Sequence, residues 1–224
     1  MVGRPSHPGG GWGVSLSWAT RRRIGGVTHD EHREPTVYLL RHGETEWSRS
    51  GQHTGRTDIP LTPQGRAQAE AAGRTLAALG VKGRVLASPR DRARVTAELA
   101  GLTVDEVTED LAEWDYGDYE GLTTPRIRES VPDWTVWTHP IPGGESAEQV
   151  TARADRLLDR VRALLPETDV VLVGHGHFSR VLVARWLELP ATAGVRFGLG
   201  TAGIAVLGFE RGVPQLVRLN LPTA

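Results

Sequence analysis

"TVYLLRHGETEW", residues 36–47, joins a short apolar run to an arginine, a histidine and a glycine. The β-forming residues at 37–40 predict a buried strand. Ligands bind at the carboxyl ends of strands in open parallel sheets, and Arg41 and His42 are residue types suited to an anion. The plainer alternative is a strand that has simply reached the protein surface. This stretch alone leaves both interpretations open.

The composition narrows the classes of function. The chain has 224 residues, of which 39% are hydrophobic and 24% charged, with a formal net charge of −1. These values are typical of one globular domain, and they give no reason to expect a nucleic-acid or membrane surface. Cysteine is absent, which excludes disulfides, a thiolate nucleophile and a Cys-based metal site. Lys82 is the sole lysine, so a cationic site must be built from arginine.

Residues 1–34 differ in character from the rest of the chain. They are rich in Gly, Arg and His, and their apolar patch at 14–19 is interrupted by serines. We therefore expect a poorly ordered extension without chemistry of its own, followed by one catalytic domain at 35–224. No run approaches the roughly 20 apolar residues of a membrane span, so we expect a cytoplasmic protein.

From residue 35 onward, strand-like and helix-like segments alternate, which predicts an α/β fold with a mostly parallel sheet covered on both faces. Thr62, Ser88 and Ser146 are predicted helix N-caps. The predicted strands lie at 37–40, 84–88, 103–108 and 169–174 and near 203–209 and 214–219, and the predicted helices lie at 62–80, 88–101, 145–166 and 177–189.

Cationic groups follow three of these strands. Arg41 and His42 end the first, Arg92 lies just beyond the second, and His175 follows "VVLVG". Because the carboxyl ends of parallel strands share one edge of the sheet, these four groups should converge. Because cationic residues follow three separate strands, an anion site is favoured over a chance surface position.

Two further features of this edge bear on the ligand. Helices predicted to begin at Pro89 and Gly176 should add backbone N–H donors for a tetrahedral oxyanion. His175 and His177 form an H-x-H pair, which could indicate a metal site. No Cys or Asp-rich ligand set accompanies the pair, so we expect no metal and no cofactor.

The motifs "RHGETEW", "GQHTGRTDIPLTPQG", "SPRDRARVT", "LAEWDYGDYEG", "GGES" and "VLVGHGH" occur in the order and spacing of the histidine phosphatase superfamily, also called phosphoglycerate-mutase-like. From residue 35 to about 220 the chain resembles this family, and most closely the branch with broad-specificity acid phosphatases and sedoheptulose bisphosphatase. The resemblance implies a three-layer α/β/α sandwich. It also implies metal-independent hydrolysis of a small phosphorylated metabolite through a phosphohistidine.

The resemblance further implies a role for each residue of the expected site. His42 would be the nucleophile, and Glu113 would be the proton donor. Arg41, Arg92 and His175 would hold the transferring phosphoryl group. Without the resemblance, Glu113 would read as one acid in a solvated acidic loop, since residues 110–120 contain five acidic side chains.

Four residues are expected to contact substrate: Ser48, Thr54, Gly55 and His177. Thr54 and Gly55 lie where the family's substrate-facing loop is found. Many relatives carry Asn six residues after the nucleophile, where this chain has Ser48. A hydroxyl reaches less far than an amide, so this contact is the less secure one.

Three functions remain open from the sequence. A phosphatase is favoured because only 175 − 113 = 62 positions separate Glu113 from His175, and cofactor-dependent mutases are generally longer there. The alternatives are a phosphoglycerate mutase and a non-catalytic phospho-ligand binding module. The sequence determines neither the substrate, whose recognition should depend on residues 114–145, nor the oligomeric state.

Overall fold

The computed structural model describes residues 35–221, so the extension predicted at 1–34 lies outside the described residues. Within that range the strands are β1 (Val37–Arg41), β2 (Gly83–Ala87), β3 (Glu106–Val107), β4 (Asp169–Gly174), β5 (Ile204–Glu210) and β6 (Val213–Leu221). The α-helices are α1 (Glu46–Ser50), α2 (Pro63–Ala78), α3 (Asp91–Leu99), α4 (Thr124–Arg128), α5 (Ala147–Leu164) and α6 (Gly176–Trp186).

The described strands form one sheet in the order β3-β2-β4-β1-β5-β6. Strands β1, β2, β3 and β4 pair in parallel, while β5 joins β1 antiparallel and β6 joins β5 antiparallel. The α/β class and the mostly parallel sheet are therefore confirmed. Since β4 lies between β1 and β2, the carboxyl ends of all three meet at one edge of the sheet.

Both faces of the sheet are covered, because successive side chains of a strand point to opposite sides. Val37 and Leu39 pack with α5 and α6 in one apolar cluster. Tyr38 and Leu40 pack with α2 and α3 in the other. The three-layer α/β/α sandwich expected from the resemblance is thus present.

The N-termini of three helices can be compared with the predicted N-cap residues. Thr62 and Ser146 are confirmed as N-caps, since each side chain accepts a hydrogen bond from a backbone N–H of the first turn. The prediction for Ser88 is wrong, because α3 begins later, with Arg90 as N-cap and no side-chain cap bond. The Ser88 backbone N–H donates to the carbonyl of Val173, which extends the strand pairing by one residue.

One further predicted strand and two predicted helices are present but shorter than expected. The third predicted strand, 103–108, is reduced to Glu106–Val107. The helices predicted at 145–166 and 177–189 occupy 147–164 and 176–186. Across residues 35–221, every helix is too short or too polar to cross a bilayer.

Candidate active site

His42 lies immediately after β1, where its backbone N–H donates to the carbonyl of Gly174 and so joins the ends of β1 and β4. The side chain is only 4% exposed. Its Nδ1 lies 2.7 Å from the carbonyl oxygen of Gly43. A carbonyl can only accept, so Nδ1 carries the ring hydrogen of the neutral imidazole. The lone pair is therefore on Nε2, which makes Nε2 the nucleophilic atom of the ring.

His175 follows β4 and is fully buried. Its Nε2 lies 2.7 Å from the hydroxyl of Ser88, at the end of β2, while its Nδ1 is buried without a hydrogen-bond partner. The role of Ser88 is thus to hold this imidazole and not to cap a helix. Three strand ends meet here through His42, Ser88 and His175. The sequence predicted that these three strand ends meet, with Arg92 and not Ser88 as the residue of the second.

The two arginines are each anchored by backbone carbonyls. Arg41 donates from Nη1 to the carbonyl of Leu199 at 2.7 Å. Arg92 is 1% exposed, and its Nη atoms donate to three carbonyls of the 54–57 loop at 2.8–3.0 Å. In both residues Nε is buried and has no partner. Each guanidinium is therefore fixed by backbone carbonyls and keeps an Nε–H without a partner.

The electrostatics keep both imidazoles neutral. Burial lowers the pKa of His42 well below its ordinary value, and the charges of Arg41 and Arg92 lower it further. Burial also lowers the pKa of His175, with Arg92 and His42 as the next causes. A neutral imidazole is the form that can attack phosphorus.

Five buried side-chain N or O atoms of residues 35–221 lack a hydrogen-bond partner, and Arg41 Nε, Arg92 Nε and His175 Nδ1 are three of them. Buried polar groups in folded proteins are nearly always paired. Arg41 and Arg92 both lower the pKa of His42 and that of His175. An anion with several acceptor oxygens would satisfy all three.

Glu113 lies in irregular chain just after a 3₁₀ turn (Glu109–Leu111) and is 8% exposed. Its Oε1 accepts hydrogen bonds from the backbone N–H groups of Trp114 and Phe178, at 2.9 and 2.8 Å. Its Oε2 accepts only one, from His177 at 3.0 Å. Each carboxylate oxygen offers about two acceptor positions, so Oε2 is the oxygen with room to carry a proton.

Some of the N–H donors at the two helix N-termini bind carboxylates of the chain itself. The amides of His177 and Phe178, in the first turn of α6, donate to Glu113. The amide of Asp91, at the start of α3, donates to Asp58 at 2.9 Å. Carboxylates of the chain already satisfy these donors and the positive end of each helix. Gly176, the first residue of α6, lines the cleft, and a contact of its N–H with the anion stays a prediction.

Ser48 and Thr54 both line the cleft that opens above His42. The Ser48 hydroxyl is engaged in the N-terminal capping box of α1, where it donates to the carbonyl of Thr45 and accepts from its N–H. The Thr54 hydroxyl donates to the carbonyl of Gln52 at 3.2 Å. Both positions suit substrate contact, and that role stays a prediction.

Gly55 is turned away from the cleft. Its N–H donates to both carboxylate oxygens of Glu120 at 2.9 Å, and its carbonyl accepts from Arg92. A Cβ at this position would lie 2.8 Å from Glu120 and 2.9 Å from the carbonyl of Trp114. Gly55 therefore lets the loop pack closely, and the structure does not place it among the cleft-lining residues.

His177 lines the cleft beside Tyr116. The Tyr116 hydroxyl lies 2.6 Å from Nδ1 of His177. Burial raises the pKa of Tyr116 well above its usual value, and burial lowers that of His177. Both side chains are therefore neutral when they form this hydrogen bond. His177 and His175 bond to different partners, and no group of three or more potential metal ligands occurs in residues 35–221.

The cleft has a volume of about 400 Å³. Residues 114–145, on which substrate recognition was expected to depend, contribute Tyr116 and Trp137 to its walls, whereas His53 and Arg180 were not selected from the sequence. His53 and Tyr116 lie inside the motifs quoted above, next to residues that were selected. Arg180 carried no signal in a single sequence, since only the position of α6 turns it toward the cleft.

Comparison with known proteins agrees with this geometry. The family profile described as "Histidine phosphatase superfamily (branch 1)" matches residues 37–222. An acid phosphatase of Mycobacterium tuberculosis is 55% identical over 190 residues, which cover 84% of this chain and 94% of that protein. Sedoheptulose 1,7-bisphosphatase of Saccharomyces cerevisiae is 34% identical over 185 residues, with 69% and 68% coverage.

The fold is also similar to a solved structure, that of an open reading frame product of Mycobacterium tuberculosis. The TM-score is 0.84 at 54% sequence identity, and the match covers 86% of this chain and 100% of the other.

Proposed function

Because the chain belongs to branch 1 of the histidine phosphatase superfamily and is a phosphatase, we propose that it hydrolyses phosphate monoesters of small metabolites through a phosphohistidine at His42, without a metal ion. One observation carries this proposal. Arg41, Arg92 and His175 each hold one buried nitrogen without a hydrogen-bond partner, and the ring centroid of His175 lies 5.3 Å from that of His42.

In the first step, Nε2 of His42 attacks phosphorus and the bond from phosphorus to the leaving oxygen breaks. Glu113 donates a proton from Oε2 to that oxygen, so the alcohol leaves neutral. The arginines and His175 stabilise the phosphoryl oxygens, on which charge is spread in the transition state. Removal of one such preorganised donor typically costs about 10²–10³ in rate.

In the second step, Glu113, now a carboxylate, takes a proton from water. The water oxygen attacks phosphorus, the bond from phosphorus to Nε2 breaks, and inorganic phosphate leaves. His42 recovers its lone pair, and Glu113 recovers its proton. One carboxyl group thus acts first as acid and then as base.

The cleft supports a small substrate. Its volume of about 400 Å³ is at the lower end of the range for small-molecule sites, about 300–1,000 Å³. Two relatives named as an acid phosphatase and a sedoheptulose bisphosphatase support monoester hydrolysis. The proposal includes a cytoplasmic location and no nucleic-acid or membrane partner.

The test is to incubate the protein in EDTA with a panel of metabolite phosphates, and to measure free phosphate and isomerised products. Release of phosphate in EDTA, absent in His42→Ala, is the expected result. Products that form only with a bisphosphoglycerate primer would identify a mutase. Binding of the panel without turnover would identify a binding module.

A further inference from the structure

We propose that Arg153 is the positioning residue for the catalytic acid. It holds the 110–116 loop so that Oε2 of Glu113 faces the leaving oxygen. The inference rests on the proposed function, because it assumes that Glu113 is the acid.

Arg153 projects from α5, the long helix behind the loop, and binds the loop backbone directly. Its Nη1 donates to the carbonyls of Asp110 at 3.1 Å and Ala112 at 2.7 Å. Its Nη2 also approaches the carbonyl of Glu113 at 3.4 Å. The guanidinium therefore binds the backbone of Glu113 and of two residues just before it.

The same guanidinium is itself held by Glu145. Nε and Nη2 of Arg153 donate to the two carboxylate oxygens of Glu145, at 2.8 and 2.6 Å. The side chains are 11% and 15% exposed, so this is a shielded bidentate pair. All five N–H donors of Arg153 are thereby used, which no lysine could reproduce.

Glu145 also contacts the loop through its backbone. Its N–H donates to the carbonyl of Asp115 at 3.0 Å, and its carbonyl accepts from the indole of Trp114 at 2.8 Å. The loop on both sides of Glu113 is consequently tied to the Arg153–Glu145 pair. These contacts hold a segment that has no regular secondary structure around Glu113.

Arg153 also reaches the donors that fix the carboxylate. Its Cζ lies 4.0 Å from the ring centroid of Phe178, and the Phe178 N–H donates to Oε1 of Glu113. The guanidinium thus contacts both the backbone that carries Glu113 and the residue that orients its carboxylate. Proton transfer needs heavy atoms within about 2.6–3.2 Å, so a loop shift of about 1 Å would impair the acid without touching the phosphoryl site.

The experiment compares Arg153→Met with Arg156→Met. Arg156 lies one turn further on the same helix, its side chain is 61% exposed, and it pairs with the side chain of Asp110. Single-turnover phosphorylation of His42 is measured with an alkyl phosphate and with p-nitrophenyl phosphate, whose leaving group needs no proton. We expect Arg153→Met to slow the alkyl substrate about 100-fold and the nitrophenyl substrate less than about 3-fold. Arg156→Met should change neither.

A double mutant separates positioning from a general structural role. In a Glu113→Gln background, Arg153→Met should have no further effect on the ratio of the two rates, because its route to catalysis has been removed. A ratio that falls again by the same factor would overturn the proposal. So would an equal loss on both substrates in the single variant.

If Arg153→Met does not fold, Glu145→Gln serves in its place, since it keeps an acceptor for Arg153 but removes the charge. We expect the same selective loss, about 5–10-fold on the alkyl substrate. An equal loss on both substrates, relative to wild type, would overturn the proposal. If Glu113→Gln alone shows no leaving-group contrast, it is the acid assignment of the proposed function that fails.

Discussion

The imidazole rings of His42 and His175 lie with their centroids 5.3 Å apart and their planes inclined by 63°. The relationship follows from sheet register. Arg41 pairs with Gly174 across the parallel β1 and β4 strands, so the next residue on each strand is delivered to the same place. The rings also share an electrostatic environment, since His42 contributes to the lowered pKa of His175.

The nucleophile can be tested by His42→Ala. Turnover should fall at least about 10³-fold, because no other group supplies the lone pair. The fold should persist, since His42 lies at a strand end. Wild type should form an acid-labile, base-stable phosphoryl adduct, seen by mass spectrometry after rapid quench at high pH. Substantial turnover by His42→Ala, or an adduct on it, would contradict the mechanism.

The acid can be tested by Glu113→Gln. Alkyl phosphates should slow by about 10²–10⁴-fold in single-turnover phosphorylation, while p-nitrophenyl phosphate should slow much less. Asp115→Asn is the control from the same loop, where Asp115 pairs with Arg56, and it should preserve the wild-type ratio. Equal losses of the two substrates in Glu113→Gln would remove Glu113 from the acid role.

The pH profile should report the neutral nucleophile. The pKa of His42 is lowered by burial and by the charges of Arg41 and Arg92, so activity should persist below the ordinary histidine value of about 6.5. Arg41→Gln removes one of those charges, which should raise the pKa of His42 and move the acid limb of kcat/KM to higher pH. Rates measured from pH 4 to 8 check this. If the acid limb of kcat/KM does not move, a group other than His42 is responsible for it.

Stability should fall in acid. His42, His53, His175 and His177 all have pKa values below the ordinary one, mainly through burial, and that of His53 is lowered to about 4. Below pH about 6.5 the unfolded chain takes up protons that the folded state does not. The free energy of unfolding should therefore decrease by about 1.4 kcal/mol per histidine per pH unit.

Urea denaturation at pH 7, 6 and 5 measures this slope. His53→Gln should make the slope shallower by about one histidine's share, ~1.4 kcal/mol per pH unit, between pH about 6.5 and about 4. An unchanged slope would show that His53 does not titrate differently in the folded and unfolded states.

Arg92 should matter for stability as well as for catalysis. Arg92→Lys would leave carbonyls of the 54–57 loop without their donors, which should cost about 2–4 kcal/mol in the free energy of unfolding. The loop amides should also exchange faster with deuterium. Arg94→Lys is the matched control: Arg94 is 54% exposed and pairs with Asp91, so a change within about 0.5 kcal/mol is expected. Equal effects of the two variants would contradict the role of Arg92 in holding the 54–57 loop.

The sequence by itself determined the layers and the edge that carries the site. Periodicity of apolar residues and turn chemistry are local properties, so the strands that precede His42 and His175 could be read directly. The convergence of Arg41, Arg92 and the two imidazoles followed from the rule that parallel strands end at one edge. Thr62 and Ser146 were readable as caps for the same reason, since a cap involves only the next three residues.

Only the tertiary structure decided which groups pair. Glu113 accepts from amides 64 and 65 positions away, and Ser88 meets His175 across 87 positions. Neither partner could be identified from local sequence, because hydrogen bonds between distant residues depend on how layers pack and not on periodicity. The same holds for Gly55, which is directed at Glu120 across 65 positions. Packing therefore placed the Glu113 carboxylate on the amides of His177 and Phe178 in α6.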